Sequence, residues 1–122
     1  MAEDFKKLKI WQNAHELMLR VYELTNTFPK EETFNLTSQI RRAATSVSAN
    51  IAEAQGRYHD AETIHFIYNA RGSAEEVRSH LTACIDLDYI SKKDFDKLEE
   101  EYIGLIKGMN SFIRSIKHKA LN

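Results

Sequence analysis

Four times along this chain, apolar residues recur in alternating steps of three and four, with no slip in register. That spacing turns one face of an α-helix toward a common core, and no stretch of the chain shows the period of two that a strand requires. The first register is Ile10, Ala14, Leu17, Val21, Leu24 and Phe28, within a segment from about Phe5 to Phe28 that Pro29 ends. The second is Leu36, Ile40, Ala43, Val47, Ile51 and Ala54, with Asn35 as the expected N-cap and Gly56 as the expected left-handed C-cap. The third is Ile67, Ala70, Ala74, Val77, Leu81 and Cys84, in a segment from about Asp60 to Leu87. The fourth is Phe95, Leu98, Tyr102, Leu105, Met109, Phe112 and Ile116, opened by a capping-box pair, Ser91 and Asp94. Four amphipathic helices of roughly 30–40 Å joined by short connections predict an all-α, antiparallel up-down-up-down four-helix bundle. With 122 residues, residues 1–122 form one such domain.

Several helices carry more apolar surface than one stripe needs. Leu8, Trp11, Met18 and Tyr22 add to the first helix, Ile64, Phe66 and Tyr68 to the third, and Ile103, Ile106 and Ile113 to the fourth. Two readings are open: a wide core stripe, or a second buried face between subunits. The segment Leu36 to Arg57 favours the second. Beside its apolar face runs a polar line, Gln39, Arg42, Ser46, Asn50, Glu53 and Arg57, at helical spacing. Acid, base and amides in register predict a hydrogen-bonded network that locks this helix against a neighbour, within or between subunits. Small residues around the line, Ala43, Ala44, Ser48, Ala49 and Ala52, allow another helix to come close.

Composition narrows the function classes. The chain is 43% hydrophobic and 29% charged, ordinary for a soluble domain. A net charge of −1 argues against a wholly basic nucleic-acid binder. Local basic surface remains at Arg41, Arg71, Arg78, Lys117 and Lys119, the candidate nucleic-acid contacts, with Glu99-Glu100-Glu101 as an acidic counterweight. The alternative for these charges is a solvated, ion-paired surface. Cys84 is alone and lies in a core stripe, so neither a disulfide nor a cysteine metal site is expected, which suits a cytoplasmic location. Acids at Glu3 and Asp4 and the absence of an apolar run argue against a signal peptide, and no segment approaches the ~20 apolar residues of a membrane span.

No enzyme chemistry stands out. A di-iron bundle needs two Glu-x-x-His pairs, and Glu62-Thr-Ile-His65 is the single copy, out of phase with the core stripe. His15-Glu16 lacks the second histidine of a zincin. Gly56, Gly72, Gly104 and Gly108 are isolated, so no phosphate loop is formed. The arginine–histidine spacing of helical ribonucleases of the HEPN type is missing. The expectation is a non-enzyme without cofactor or metal. Gly72, inside a helix, costs about 1 kcal/mol relative to alanine and is expected to admit a close neighbour.

These residues also carry a family resemblance. It rests on Trp11-Gln12, Phe28-Pro29 and Glu32, then Leu36-Thr-Ser-Gln-Ile-Arg-Arg-Ala-Ala, then Ser46-Val-Ser-Ala-Asn-Ile-Ala-Glu53 with Gly56-Arg57, and Ala70-Arg-Gly-Ser73. The whole resembles the four-helix-bundle proteins encoded in intervening sequences of bacterial 23S ribosomal RNA genes, also labelled ribosomal-protein-like. Ala54-Gln55 before Gly56 departs from a family pattern with an earlier glycine. The resemblance implies a small cytoplasmic bacterial bundle that assembles into a homopentameric ring and has no established activity. A related branch, accessory proteins of diversity-generating retroelements, is strongly basic and binds nucleic acid and a reverse transcriptase. For this less basic chain the expected partners are therefore its own copies first, with structured RNA or a nucleic-acid enzyme as the alternative.

Overall fold

The computed structural model describes residues 4–121. A short 3-10 turn, Phe5–Lys7, leads into α1 (Lys9–Thr25); a second, Lys30–Glu32, leads into α2 (Leu36–Gln55); α3 (Asp60–Asp86) and α4 (Lys92–Leu121) follow. Side-chain bonds fix the order around the bundle. Arg41 on α2 reaches Thr25 on α1, Ser46 on α2 meets Ser73 on α3, and Arg71 on α3 meets Asn110 on α4. Arg20 on α1 pairs with Glu101 on α4, and the Ile10 side chain lies against Gly108. Each pair joins antiparallel neighbours, so the four-helix bundle is up-down-up-down. The α1–α4 seam is the loosest of the four.

The registers of α2 and α3 are buried in full, including Ile40, Val47, Ile51, Ile67, Val77 and Leu81 at 0% exposure. The fourth register is corrected at its end. Met109 is followed in the core by Ile113, while Phe112 and Ile116 are half-buried. A strict seven-residue repeat drifts on a straight 3.6-residue helix, and over the last turns the drift brings Ile113 inward. Most of the additional apolar surface follows it. Leu8, Trp11, Met18, Ile64, Phe66 and Ile106 pack onto the same core, and Ile103 is half-buried. Tyr22 and Tyr68 stay more open. The wide-stripe reading therefore accounts for most of these residues.

The helix ends differ from the expected ones for local reasons. Leu8 is extended (φ −72°, ψ 127°), so the Phe5–Phe28 segment is a 3-10 turn and a separate helix. The turn is capped by Asp4 Oδ1, which accepts from the Lys6 amide at 3.0 Å. α1 stops at Thr25, ahead of Pro29, where Arg41 donates to the Tyr22 carbonyl and the Thr25 hydroxyl. Asn35 occupies the N-cap position of α2 but makes no capping bond; Glu32 Oε1 accepts from the Leu36 amide instead. Gly56 is right-handed (φ −83°). The left-handed residue is Asp88 (φ 62°), which closes α3 in a Schellman arrangement: the Tyr89 amide donates to Cys84 O at 2.9 Å and the Asp88 amide to Ile85 O at 3.0 Å. Ser91 caps α4 as expected, its Oγ accepting from the Asp94 amide. Among the described residues no helix is long and apolar enough to cross a membrane.

Candidate binding surfaces on the second helix and the helix 3–helix 4 edge

The outward side of α2 is a candidate binding surface. Its two ends carry the two most exposed large apolar side chains among the described residues, Phe34 at 96% and Tyr58 at 92%. Between them the helix presents Ser38, Arg42, Thr45, Ala49, Ala52 and Glu53, with Ala49 exposed and Ala52 half-buried. Two shallow hollows lie along it. One is bounded by Phe34, Ser38, Gln39, Arg42 and Ser73; the other by Phe5, Ala49, Ala52, Glu53 and Gly56. This face follows from a helix whose inner side is fully used by the core and whose outer side sets small residues beside Arg42 and Glu53.

Within the subunit the polar line does not form one network. It divides into three groups. Gln39 Nε2 donates to Asn35 Oδ1 at 3.0 Å. Asn50 Nδ2 donates to Ser46 O at 2.8 Å and to Ser46 Oγ at 3.0 Å, and Ser46 Oγ shares a hydrogen with Ser73 Oγ at 2.9 Å. Glu53 and Arg57 pair at 2.6 Å one turn apart, and the Arg57 guanidinium lies 4.5 Å from the Phe66 ring centre. The middle group alone bridges two helices by hydrogen bonds. The Arg42 carbonyl accepts from Thr45 Oγ1, but its guanidinium has no hydrogen-bond or ion-pair partner among the described residues and the residue is exposed. The spacing that sets these residues on one face was legible; the three-way division was not, because side-chain reach between i and i+4 closes local pairs first.

The five candidate basic contacts do not form one patch either. Arg41 is drawn into the α1–α2 packing, with Nε on Thr25 Oγ1 at 2.8 Å and the guanidinium over Tyr22 at 4.7 Å. Arg78 is held by Glu99 across the α3–α4 seam and by Glu75 on its own helix, and both raise its pKa, Glu99 more strongly. A neutralised guanidinium is a poor phosphate ligand. Arg71 and Lys117 do converge. Both lie over the Tyr68 ring, at 4.7 and 5.8 Å, and Lys117 Nζ donates to the Tyr68 hydroxyl at 3.3 Å. Arg71 also donates to Asn110 Oδ1 at 2.7 Å, so neither cation is paired with a carboxylate. Lys119 is exposed near the end of α4. Tyr68 was noted in the sequence for its apolar character, and its role as the platform for two cations depends on α3 and α4 lying antiparallel.

Other features have structural roles. Glu32 accepts from the Tyr89 hydroxyl at 2.8 Å, the Leu36 amide and Asn35 Nδ2, and these bonds, led by Tyr89, hold its carboxyl below the usual range. They tie the α1–α2 loop to the α3–α4 loop, where the Phe28 and Tyr89 rings also meet at a tilt, with centres 5.3 Å apart. Burial pushes the Cys84 thiol up to about 11. Gly72 has nothing within 4 Å of where a Cβ would stand, so the close neighbour expected there is not supplied by this subunit. Glu62 and His65 are exposed, as their phase requires, and no described group of three or more histidine, cysteine or acidic residues could hold a metal.

The sequence matches the model of the 23S rRNA-intervening sequence protein family over residues 6–111. Among solved structures, it is similar to a protein of unknown function from the S23 ribosomal protein family of Bacteroides thetaiotaomicron VPI-5482. The two superpose with a TM-score of 0.77 at 24% identity, over 85% of this chain and 97% of the other. That likeness speaks to the fold. Among curated proteins no match is found.

Proposed function

The chain belongs to the 23S rRNA-intervening sequence protein family, and from that premise we propose that it acts as a non-enzymatic, homo-oligomeric binding or scaffold protein of the bacterial cytoplasm. The observation that carries the reading is the outward face of α2. Phe34 and Tyr58 are almost fully exposed at its ends, and an unpaired Arg42 lies between them. Apolar rings in water are unfavourable by roughly 25 cal/mol for each Å² left uncovered, and one stands in the loop at each end of α2, which supports a surface covered in use. A second copy of the chain is the partner, and the family resemblance supplies the number five. Sedimentation velocity at micromolar concentration tests it. A single species well above the 14.1 kDa chain mass is expected; a monomer ends the reading.

The Tyr68 cluster favours one second reading, a structured-RNA contact. Two cations with no carboxylate partner flank a ring that is 39% exposed, which offers phosphate contacts beside a stacking surface. With a net charge of −1 the expected binding is weak and independent of sequence. A gel-shift titration at two salt concentrations tests it. Binding that falls steeply with salt and is lost in Arg71→Glu with Lys117→Glu supports the RNA contact, and tight binding unchanged by that pair refutes it.

A further inference from the structure

We propose that copies of this chain meet through two different surfaces, the outward ridge of α2 on one copy seating in the α1–α4 groove of the next. The inference rests on the self-assembly reading above and adds to it which surfaces join. A ridge on one side of the bundle and a groove on another make a contact between two different patches, the kind that closes into a ring when the rotation allows. The α1–α4 seam provides a groove of about 620 Å³, continuous through Arg20 with a second hollow farther along the same seam. The groove and the α2 ridge lie on different sides of the bundle, since α2 touches α1 and α3 but not α4.

Charge fits at matched heights. The docking proposed here sets the two copies side by side with their bundles parallel, related by rotation about an axis along the bundle, so each residue faces groups at its own height. The bond from Arg41 to Thr25 sets the height of α2 against α1, and the Arg20–Glu101 pair with the Ile10–Gly108 contact sets α1 against α4. On that scale Arg42 stands level with Glu23, and Asp94 lies about one turn away along α4; both carboxylates line the second hollow. Ala49 stands level with Glu16 and Gly104, which line the first. Arg20 is already joined to Glu101. That leaves Glu16, Glu23, Asp94 and Glu100 facing Lys97 as the seam's remaining cation among the described residues, so the groove is net negative. The ridge offers an unpaired guanidinium at the height of Glu23 and within about one turn of Asp94.

Shape fits at the same place. Gly104 sits inside α4, where glycine costs about 1 kcal/mol relative to alanine. Nothing lies within 4 Å of its absent Cβ, so no contact within the subunit accounts for it. Gly108, one turn on, is accounted for by Ile10 at 3.3 Å. A bare stretch of α4 facing the small side chains of Ala49 and Ala52 lets two helix backbones approach closely.

The test uses cysteine pairs in the full chain, since buried Cys84 contributes no background. Ala49→Cys and Gly104→Cys are made separately and together. Under mild oxidation neither single variant should cross-link alone, an equal mixture should give covalent dimers, and the double variant should give a ladder ending at the full ring. Disulfides need Cβ atoms about 3.5–4.5 Å apart, so the pattern reads the contact directly. In parallel, Arg42→Glu should reduce the mass to that of one chain with helical circular dichroism unchanged, and adding Glu23→Arg with Asp94→Arg should restore it. Ala49→Cys cross-linking to itself, or Arg42→Glu keeping the wild-type mass, overturns the docking while leaving self-assembly standing. A monomeric wild type removes both.

Discussion

Replacing Tyr102 by phenylalanine should make this protein more stable. Tyr102 is 0% exposed at the centre of the α4 register, and its hydroxyl has no hydrogen-bond partner. Burial raises its pKa, with the Arg20 charge opposing only in part, so the oxygen is a buried neutral donor that has given up water. An unmade hydrogen bond of this kind costs about 1–3 kcal/mol. Tyr102→Phe keeps the ring and its packing and removes only that oxygen, leaving a gap smaller than a methyl group. Set against a small loss of dispersion contacts, a net gain of about 1 kcal/mol is expected. For a domain of this size 1 kcal/mol corresponds to roughly 4 °C in Tm. The assay is thermal unfolding by circular dichroism at matched protein concentration, because assembly makes Tm concentration-dependent. A fall of several degrees would refute the reasoning, since it would mean the hydroxyl is bonded in the folded protein and its loss leaves a partner unsatisfied.

Three further outcomes follow from local geometry. Asp88→Gly should stabilise by up to about 1 kcal/mol in urea titration, because the left-handed closure of α3 is a glycine conformation held by aspartate; a loss would show that the aspartate side chain supports the loop. The Glu32 carboxyl is held below its ordinary value of 4.5, so it contributes stability above that value that is lost as pH falls through the lowered folded value; Glu32→Gln should flatten the urea midpoint over that acid window, and an unchanged slope would contradict the loop tie. With its pKa pushed up to about 11 and its side chain buried, Cys84 should react with a disulfide reagent at pH 8 only as fast as the protein unfolds, and labelling at the rate of a free thiol would contradict the packing.

The bundle was legible because burial repeats with the helix. Ile67 through Cys84 needed only a period, and all six are fully enclosed. The helix ends were less legible because backbone closure there depends on tertiary neighbours. Arg41 ends α1 from another helix, and the left-handed cap fell to Asp88 where sequence preference pointed to Gly56. The additional apolar residues show the same limit. Periodicity cannot say whether Trp11 or Ile106 meets its own core or another chain, and both pack, half-buried, on their own core. On the candidate surface, the phase of Arg42, Asn50 and Glu53 placed them on one side of α2. Which of them pair was decided by reach, and the isolation of Arg42 emerged only with the neighbouring helices in place. Phe34 and Tyr58 fall outside the registers, and no periodic signal marks a residue in a loop.

Native mass spectrometry of the wild-type chain at micromolar concentration tests the proposed assembly of this bundle with its own copies. One dominant species at five times the 14.1 kDa chain mass is expected. A dominant monomer contradicts the assembly, because the exposed rings beside α2 and its unpaired Arg42 would then face water with no second copy to cover them.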